Sequence, residues 1–238
     1  MKKIIKPEDI GKIPVTRRSL LDWFGKAVVI GLGSGLIKAC SSLDDSCESI
    51  LDDKGISFNP GSENSETFSD FTTYIVDPQD LVKILNEWNL TVDGLVKTPT
   101  TQSFNDLLCL KRYNQTADFH CVTGWSVYGV PWNGIRLSTL INIVEPLPGA
   151  THVTFHTLND IYNESIPIAD ALNSQTMLAF GANGSTIPLG HGFPLRLIIP
   201  YKWGYKNAKY VYRIEFTDEP VYGYWERWGY PYEANVTY

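Results

Sequence analysis

TADFHCVTGWS (116–126) and LGHGFPLRLIIPYKWGYKNAK (189–209) are the two stretches from which the rest of the chain is read. In the first, Ala117, Phe119 and Cys121 alternate with Asp118 and His120, the period of a strand. Cys121 ends that strand shortly before Gly124, so its thiol is expected on a rigid element at the mouth of a turn. A thiolate there suits a soft or high-valent metal better than calcium or magnesium. Taken alone, a single cysteine among apolar residues is more often a small buried hydrophobe. The second stretch shifts that balance, because it joins a glycine-rich turn, His191, Arg196 and, after a second glycine-containing turn, Lys209.

Other segments extend the pattern: WNLTVDGLVKTP (88–99), PWNGIRLSTLI (131–141), HVTFHT (152–157), GYKNAKYVYRIEF (204–216) and GYWERWGYP (223–231). Together with DFHCVTGWS (118–126) and HGFPLRLIIP (191–200), and in this order, they resemble the molybdopterin-dependent oxidoreductases of the sulfite-oxidase-like superfamily. Several spaced motifs in sequence are far more specific than any one alone. The resemblance runs over roughly residues 75–235. It implies an α+β fold with a mixed sheet and a Mo-molybdopterin cofactor, one molybdenum per chain.

Carried over by position, the resemblance makes Cys121 the catalytic residue and the molybdenum ligand, with Phe119 and His120 beside it. Thr157 falls next to the pterin, His191 and Arg196 on the pterin and its phosphate, and Asn207, Ala208 and Lys209 in the loop completing the phosphate cradle. Buried phosphate requires Arg, Lys and backbone N–H donors, which this set supplies. His120 reads equally well as a residue satisfying a structural hydrogen bond. His152 and His156 read as structural, and Trp125 and Trp132 as core packing before funnel lining.

Two departures steer the activity. Cys121 is followed by Val122-Thr123-Gly124-Trp125-Ser126 rather than the Gly-Asn-Arg of animal and plant sulfite oxidases, and is closer to the bacterial subfamily of the periplasmic protein-methionine-sulfoxide reductase. Leu178-Ala179 is followed by Phe180 where sulfite oxidases carry an active-site tyrosine. A sulfite-like anion would lose one donor there, on the order of 1–3 kcal/mol. Oxygen-atom transfer at sulfur is therefore expected, as sulfoxide reduction of the methionine sulfoxide kind. Sulfite oxidation is the alternative, and a non-catalytic ligand-binding module the alternative of another class.

Composition bounds the rest. The 238 residues, 43% hydrophobic and 13% aromatic, suffice for one sizeable core. A net charge of −6 with no basic cluster beyond residue 20 argues against nucleic acid as a partner. No CxxCH and no dinucleotide motif is present; GLGSG (31–35) lacks a surrounding βαβ unit. Electrons are therefore expected from a separate electron-transfer protein, such as a membrane haem or quinone-linked subunit.

Residues 1–40 read as an export signal, with the twin-arginine pattern TRRSLL (16–21) and a short apolar run from Ala27 to Ile37. That route carries folded, cofactor-loaded proteins, although Asp22 departs from its usual basic residue. Cys40 followed by Ser41-Ser42 resembles a lipoprotein site, so lipid at Cys40 is expected to hold the protein on the outer face of the membrane or in the periplasm. Residues 41–74, acidic and Ser-rich, read as a flexible tether, leaving 75–238 as the oxidoreductase domain. Cys109 reads as a buried thiol, and the spacings suggest no disulfide. Strands are expected over 88–97, 116–123, 151–157, 176–181, 195–199 and 209–217, helices over 78–86, 103–110, 135–144 and 167–172.

Overall fold

The computed structural model describes residues 59–63, 67–72, 88–158 and 162–237. The export signal, Cys40 and the helix expected over 78–86 lie outside these residues. Two sheets carry the fold. The first contains β1 (Asn59–Glu63), β4 (Tyr113–His120), β5 (Ser126–Arg136), β8 (Met177–Ala182), β9 (Ser185–Thr186) and β10 (Arg196–Ile198). Its order is β1-β9-β8-β5-β4, with β10 also pairing with β8. The second runs in the order β3 (Thr100–Gln102), β2 (Leu90–Gly94), β11 (Val211–Thr217), β6 (His152–Thr157), β7 (Asn163–Pro167). The β11–β2 pair is parallel and its neighbours are antiparallel, so the sheet is mixed and the fold α+β, as the resemblance implies.

One large core joins the sheets. Ile135, Leu178 and Phe180 of the first meet Leu90, Val92, Phe155, Ile214 and Phe216 of the second. Among the described residues three short helices complete it: α1 (Phe104–Leu108), α2 (Leu137–Val144) and α3 (Ile168–Leu172). In α2, Leu137, Leu140, Ile141 and Val144 are buried, the i, i+3, i+4, i+7 stripe of a one-sided helix. In α1, Ser103 Oγ accepts from Asp106 N–H while the Asp106 carboxylate accepts from Ser103 N–H, a reciprocal cap that fixes where the helix starts. Among the described residues no helix is long and apolar enough to cross a membrane.

Three expectations need correction. The stretch read as tether is partly built into the fold: β1 pairs parallel with β9, and Phe68 and Phe71 are buried against Trp132. Burying a phenylalanine contributes about 1.5–3 kcal/mol, enough to hold a short polar segment down. Cys109 is half-buried and disulfide-bonded, its partner lying outside the described residues. Such a bond joins segments far apart in sequence, which spacing does not reveal. Finally, β5 occupies the sheet interior between the expected strand over 116–123 and the expected helix over 135–144, where no strand was expected. Pro131 is accommodated because the β5–β8 ladder runs from Trp132 to Arg136 and stops short of it.

Candidate functional site

The β4–β5 hairpin carries Cys121 at its tip. Phe119 pairs with Val127 and His120 with Ser126. The turn is closed by Cys121 N–H donating to Trp125 O (2.9 Å) and Gly124 N–H donating to Cys121 O (3.0 Å). Beneath it, His120 Nδ1 and Ser126 Oγ lie 2.8 Å apart and brace the two strands. The Cys121 thiol is free and half-buried, with its Sγ 3.1 Å from Thr123 Oγ1. A β-hairpin thus presents one sulfur on a fixed backbone.

The second stretch folds into a basic cradle. Arg196 opens β10, is buried, and donates from Nη1 to His191 O at 2.8 Å. Lys209 Nζ donates to Gly190 O at 3.2 Å, so both cations grip the single turn at 189–191. Gly192 permits this convergence. Its φ is +115°, and a Cβ there would lie 3.0 Å from Lys209 Cγ and 3.1 Å from Arg196 Cβ. Burial and the neighbouring Arg196 lower the Lys209 pKa to about 7. Burial also lowers Arg196 to about 10 and, aided by Lys209 and Arg196, His191 to about 3. His191 is therefore a neutral imidazole at physiological pH, and the two cations repel one another in a poorly solvated place.

An aromatic layer joins cradle to hairpin. The Arg196 guanidinium carbon stands 5.3 Å over the Phe119 ring and 5.2 Å over that of Trp132. Phe119 stacks on Trp125, with ring centroids 5.7 Å apart. The turn at Gly204–Lys206 lies flush on the same strand, since a Cβ on Gly204 would fall 2.6 Å from Phe119 Cζ and 3.2 Å from His120 O. Cys121, Phe119, Arg196, His191 and Lys209 therefore belong to one connected region.

The other residues singled out from sequence take different places. Thr157 is buried at the end of β6, pairs with Val211 and donates to Tyr162 O at 2.6 Å. Asn207 Oδ1 accepts from Ile199 N–H, and the Asn207 and Ala208 N–H groups donate to Gly204 O and Lys206 O. Their backbone donors are thus engaged within the loop, and Lys209 is its member reaching the cradle. Phe180 is fully buried in the large core, edge-on to Phe104. His156 pairs with Glu215 at 2.9 Å and His152 with Thr151, both structural. Trp132 is a core residue.

Sequence reading missed Phe68, which stacks on His191 at 4.8 Å, and Phe71, which packs against Phe119 and Trp125. Two phenylalanines in an acidic stretch were the available signal. It also missed Lys206, buried between Glu164 (3.1 Å) and Glu226. No periodicity marks that trio, whose members come from three separate segments.

The region fits a phosphate-bearing cofactor that brings its own metal donors. Arg196 Nε and the indole N–H groups of Trp125 and Trp132 are buried without a hydrogen-bond partner among the described residues, so they lack acceptors. An anion beside Arg196 and Lys209 would remove their mutual repulsion. Among the described residues no group of three or more His, Cys, Asp or Glu side chains is placed to hold a metal, so one at Cys121 would take its remaining donors from outside the chain.

Comparison with known proteins agrees. The family described as oxidoreductase molybdopterin binding domain matches residues 77–225. An uncharacterized oxidoreductase, YuiH of Bacillus subtilis, is 37% identical over 146 residues, 61% of this chain and 73% of that protein. A putative protein-methionine-sulfoxide reductase subunit, YedZ1 of Azospira oryzae, is 35% identical over 67% of this chain and 60% of its own length. The protein-methionine-sulfoxide reductase catalytic subunit MsrP of Ralstonia nicotianae is 33% identical over 64% of this chain, and the match spans about half of that relative (51%). Among solved structures, the sulfane dehydrogenase SoxCD of Paracoccus pantotrophus matches with a TM-score of 0.53 and 26% identity, over 57% of this chain and 39% of its own. The chain belongs to the oxidoreductase molybdopterin binding domain family and is a sulfite-oxidase-like molybdopterin oxidoreductase.

Proposed function

We propose that this oxidoreductase reduces sulfoxides, with methionine sulfoxide in protein as the leading substrate. In balance, the sulfoxide takes up two electrons and two protons, its sulfur–oxygen bond breaks, and a thioether and one water leave. The observation that carries the reading is the packing of the Arg196–Lys209 cradle onto the Cys121 strand through Phe119. It unites an anion site with a lone thiolate donor. One molybdenum per chain, held by the pterin dithiolene and Cys121, would supply the two-electron oxygen-atom transfer.

This chain's own residues bind and orient. Arg196 and Lys209 neutralise the cofactor phosphate, and His191, neutral, offers one donor and one acceptor without adding charge. Phe119 and Trp125 stack on one another next to the Cys121 turn and place apolar surface in the region. Relatives named as methionine-sulfoxide reductase subunits and the Trp125-Ser126 pattern favour sulfoxide over sulfite.

Electrons come in this reading from a separate protein, a membrane haem or quinone-linked subunit, in line with relatives named as subunits. Twin-arginine export, with lipid at Cys40, puts the chain outside the cytoplasmic membrane. The Cys109 disulfide supports an oxidising compartment.

The test is elemental analysis followed by dye-linked assays. Protein from a host that makes the cofactor should hold one molybdenum per chain, and Cys121→Ser should abolish turnover with the fold intact. Reduction of methionine sulfoxide should exceed oxidation of sulfite. Efficient sulfite turnover without sulfoxide activity would reverse the assignment, and metal-free protein would overturn it.

A further inference from the structure

The Cys121 turn contains a second side chain that reaches the sulfur. Thr123 Oγ1 lies 3.1 Å from Cys121 Sγ, and the hydroxyl has no other hydrogen-bond partner among the described residues. Between thiol and hydroxyl either atom can donate. A metal-bound cysteine has lost its proton, so its sulfur can only accept and the threonine O–H must donate. The arrangement does not depend on a loose side chain. The Cys121–Trp125 and Gly124–Cys121 backbone bonds fix the turn that holds both residues, and the His120–Ser126 contact braces its base.

Resting on the assignment of Cys121 as the metal ligand, we propose that Thr123 is a positioning and tuning residue whose hydroxyl hydrogen-bonds the metal-bound Cys121 thiolate. The bond fixes the direction of the sulfur lone pair left for the metal. It also draws electron density from the sulfur, which stabilises the reduced metal and raises its reduction potential. A hydroxyl two residues along a hairpin turn does this without adding charge beside an anionic cofactor.

Thr123→Val removes the hydroxyl and keeps the branched shape, and Thr123→Ser restores it. Wild-type and both variants are purified from a cofactor-producing host. Molybdenum content is measured first, then the Mo(VI/V) midpoint by redox titration followed by electron paramagnetic resonance. The expected result is full molybdenum in the wild type, a midpoint shifted downward with an altered Mo(V) signal in Thr123→Val, and both restored in Thr123→Ser. Loss of molybdenum from Thr123→Val but not from Thr123→Ser would also support the role. A molybdenum-loaded Thr123→Val with the wild-type midpoint and signal would overturn it, as would a Thr123→Ser variant as altered as Thr123→Val. Wild-type protein without molybdenum would instead defeat the underlying assignment, a distinguishable outcome.

Discussion

Arg196 stands 5.3 Å over the ring of Phe119, two residues before Cys121 on the strand that leads into its turn. Through that contact the Arg196–Lys209 half of the region is tied to the Cys121 half. Cation–π contacts of this kind are worth about 0.5–2 kcal/mol, rising as the pair is desolvated, and Arg196 is buried. Moving Phe119 therefore moves the platform under the cradle as well as the strand under the sulfur.

Gly204 tests that coupling. An added Cβ would meet Phe119 Cζ at 2.6 Å and Cε1 at 3.0 Å, so Gly204→Ala must push the ring or lift the turn. Overpacking of this size costs about 1–3 kcal/mol. Gly204→Ala is expected to lower the urea midpoint and the molybdenum content together. Adding Phe119→Leu should recover part of both, because it removes the atoms the methyl strikes. Double-mutant coupling indistinguishable from zero would show that the contact does not transmit strain.

What was legible beforehand follows from how the information is stored. Alternation in Ala117-Phe119-Cys121 and the run Leu178-Ala179-Phe180 are local patterns; β8 stands within one residue of the expected 176–181, while β4 begins and ends three residues before the expected 116–123 and leaves Cys121 in the turn. His191, Arg196 and Lys209 share one short motif, and the structure brings them to one turn. Strand β7 was illegible because Asn163-Glu164-Ser165 looks like loop, yet Glu164 and Ser165 are buried. They are tolerated because Lys206, more than 40 residues away, bonds both Glu164 and Ser165 O. Strand β5 was hidden behind Gly129 and Pro131, whose cost depends on which neighbour lies opposite. The Cys109 disulfide and the burial of Phe68 and Phe71 are likewise long-range facts.

Export is tested with the arginine pair. Arg17→Lys with Arg18→Lys should leave folded protein in the cytoplasm, because that route reads the two arginines. Cys40→Ala should move the protein into the soluble outer fraction or leave its signal uncut. A Cys40→Ala protein found membrane-bound with a cleaved signal would remove lipid as the anchor.

Lys209 gives a pH signature independent of turnover. Its pKa falls from 10.5 in the ordinary state to about 7 in the fold, chiefly through burial. Between these values the unfolded chain binds a proton that the folded chain does not, so this group makes stability rise with pH. Below about pH 7 the penalty is complete. In cofactor-free protein, Lys209→Met should flatten the slope of unfolding free energy between pH 7 and pH 10. Inorganic phosphate should flatten it too, by favouring the charged lysine. A slope unchanged in Lys209→Met would assign the dependence to other groups.

Glu164, Glu226 and Lys206 place two carboxyl groups on one buried lysine, and the arithmetic of charge leaves one carboxyl in excess. Burial raises the Glu164 pKa well above 4.5, the nearby Glu226 raises it further, and Lys206 only partly offsets them. Burial thus favours the protonated form of Glu164, although both carboxyls stand against Lys206. A raised pKa means that its stabilising proton is fully held below about pH 4.5 in both states and that stability is lost as pH climbs from there through the folded value. Glu164→Gln mimics the protonated form that burial favours, so it should cost less at pH 7 than Glu226→Gln while weakening the alkaline loss. Glu226→Gln removes one of the two carboxyls against the buried Lys206 and should cost about 3–5 kcal/mol at the same pH. Urea unfolding of the two variants at pH 6, 7 and 9 separates the roles. Equal losses at pH 7 would mean that both carboxyls are ionised against Lys206.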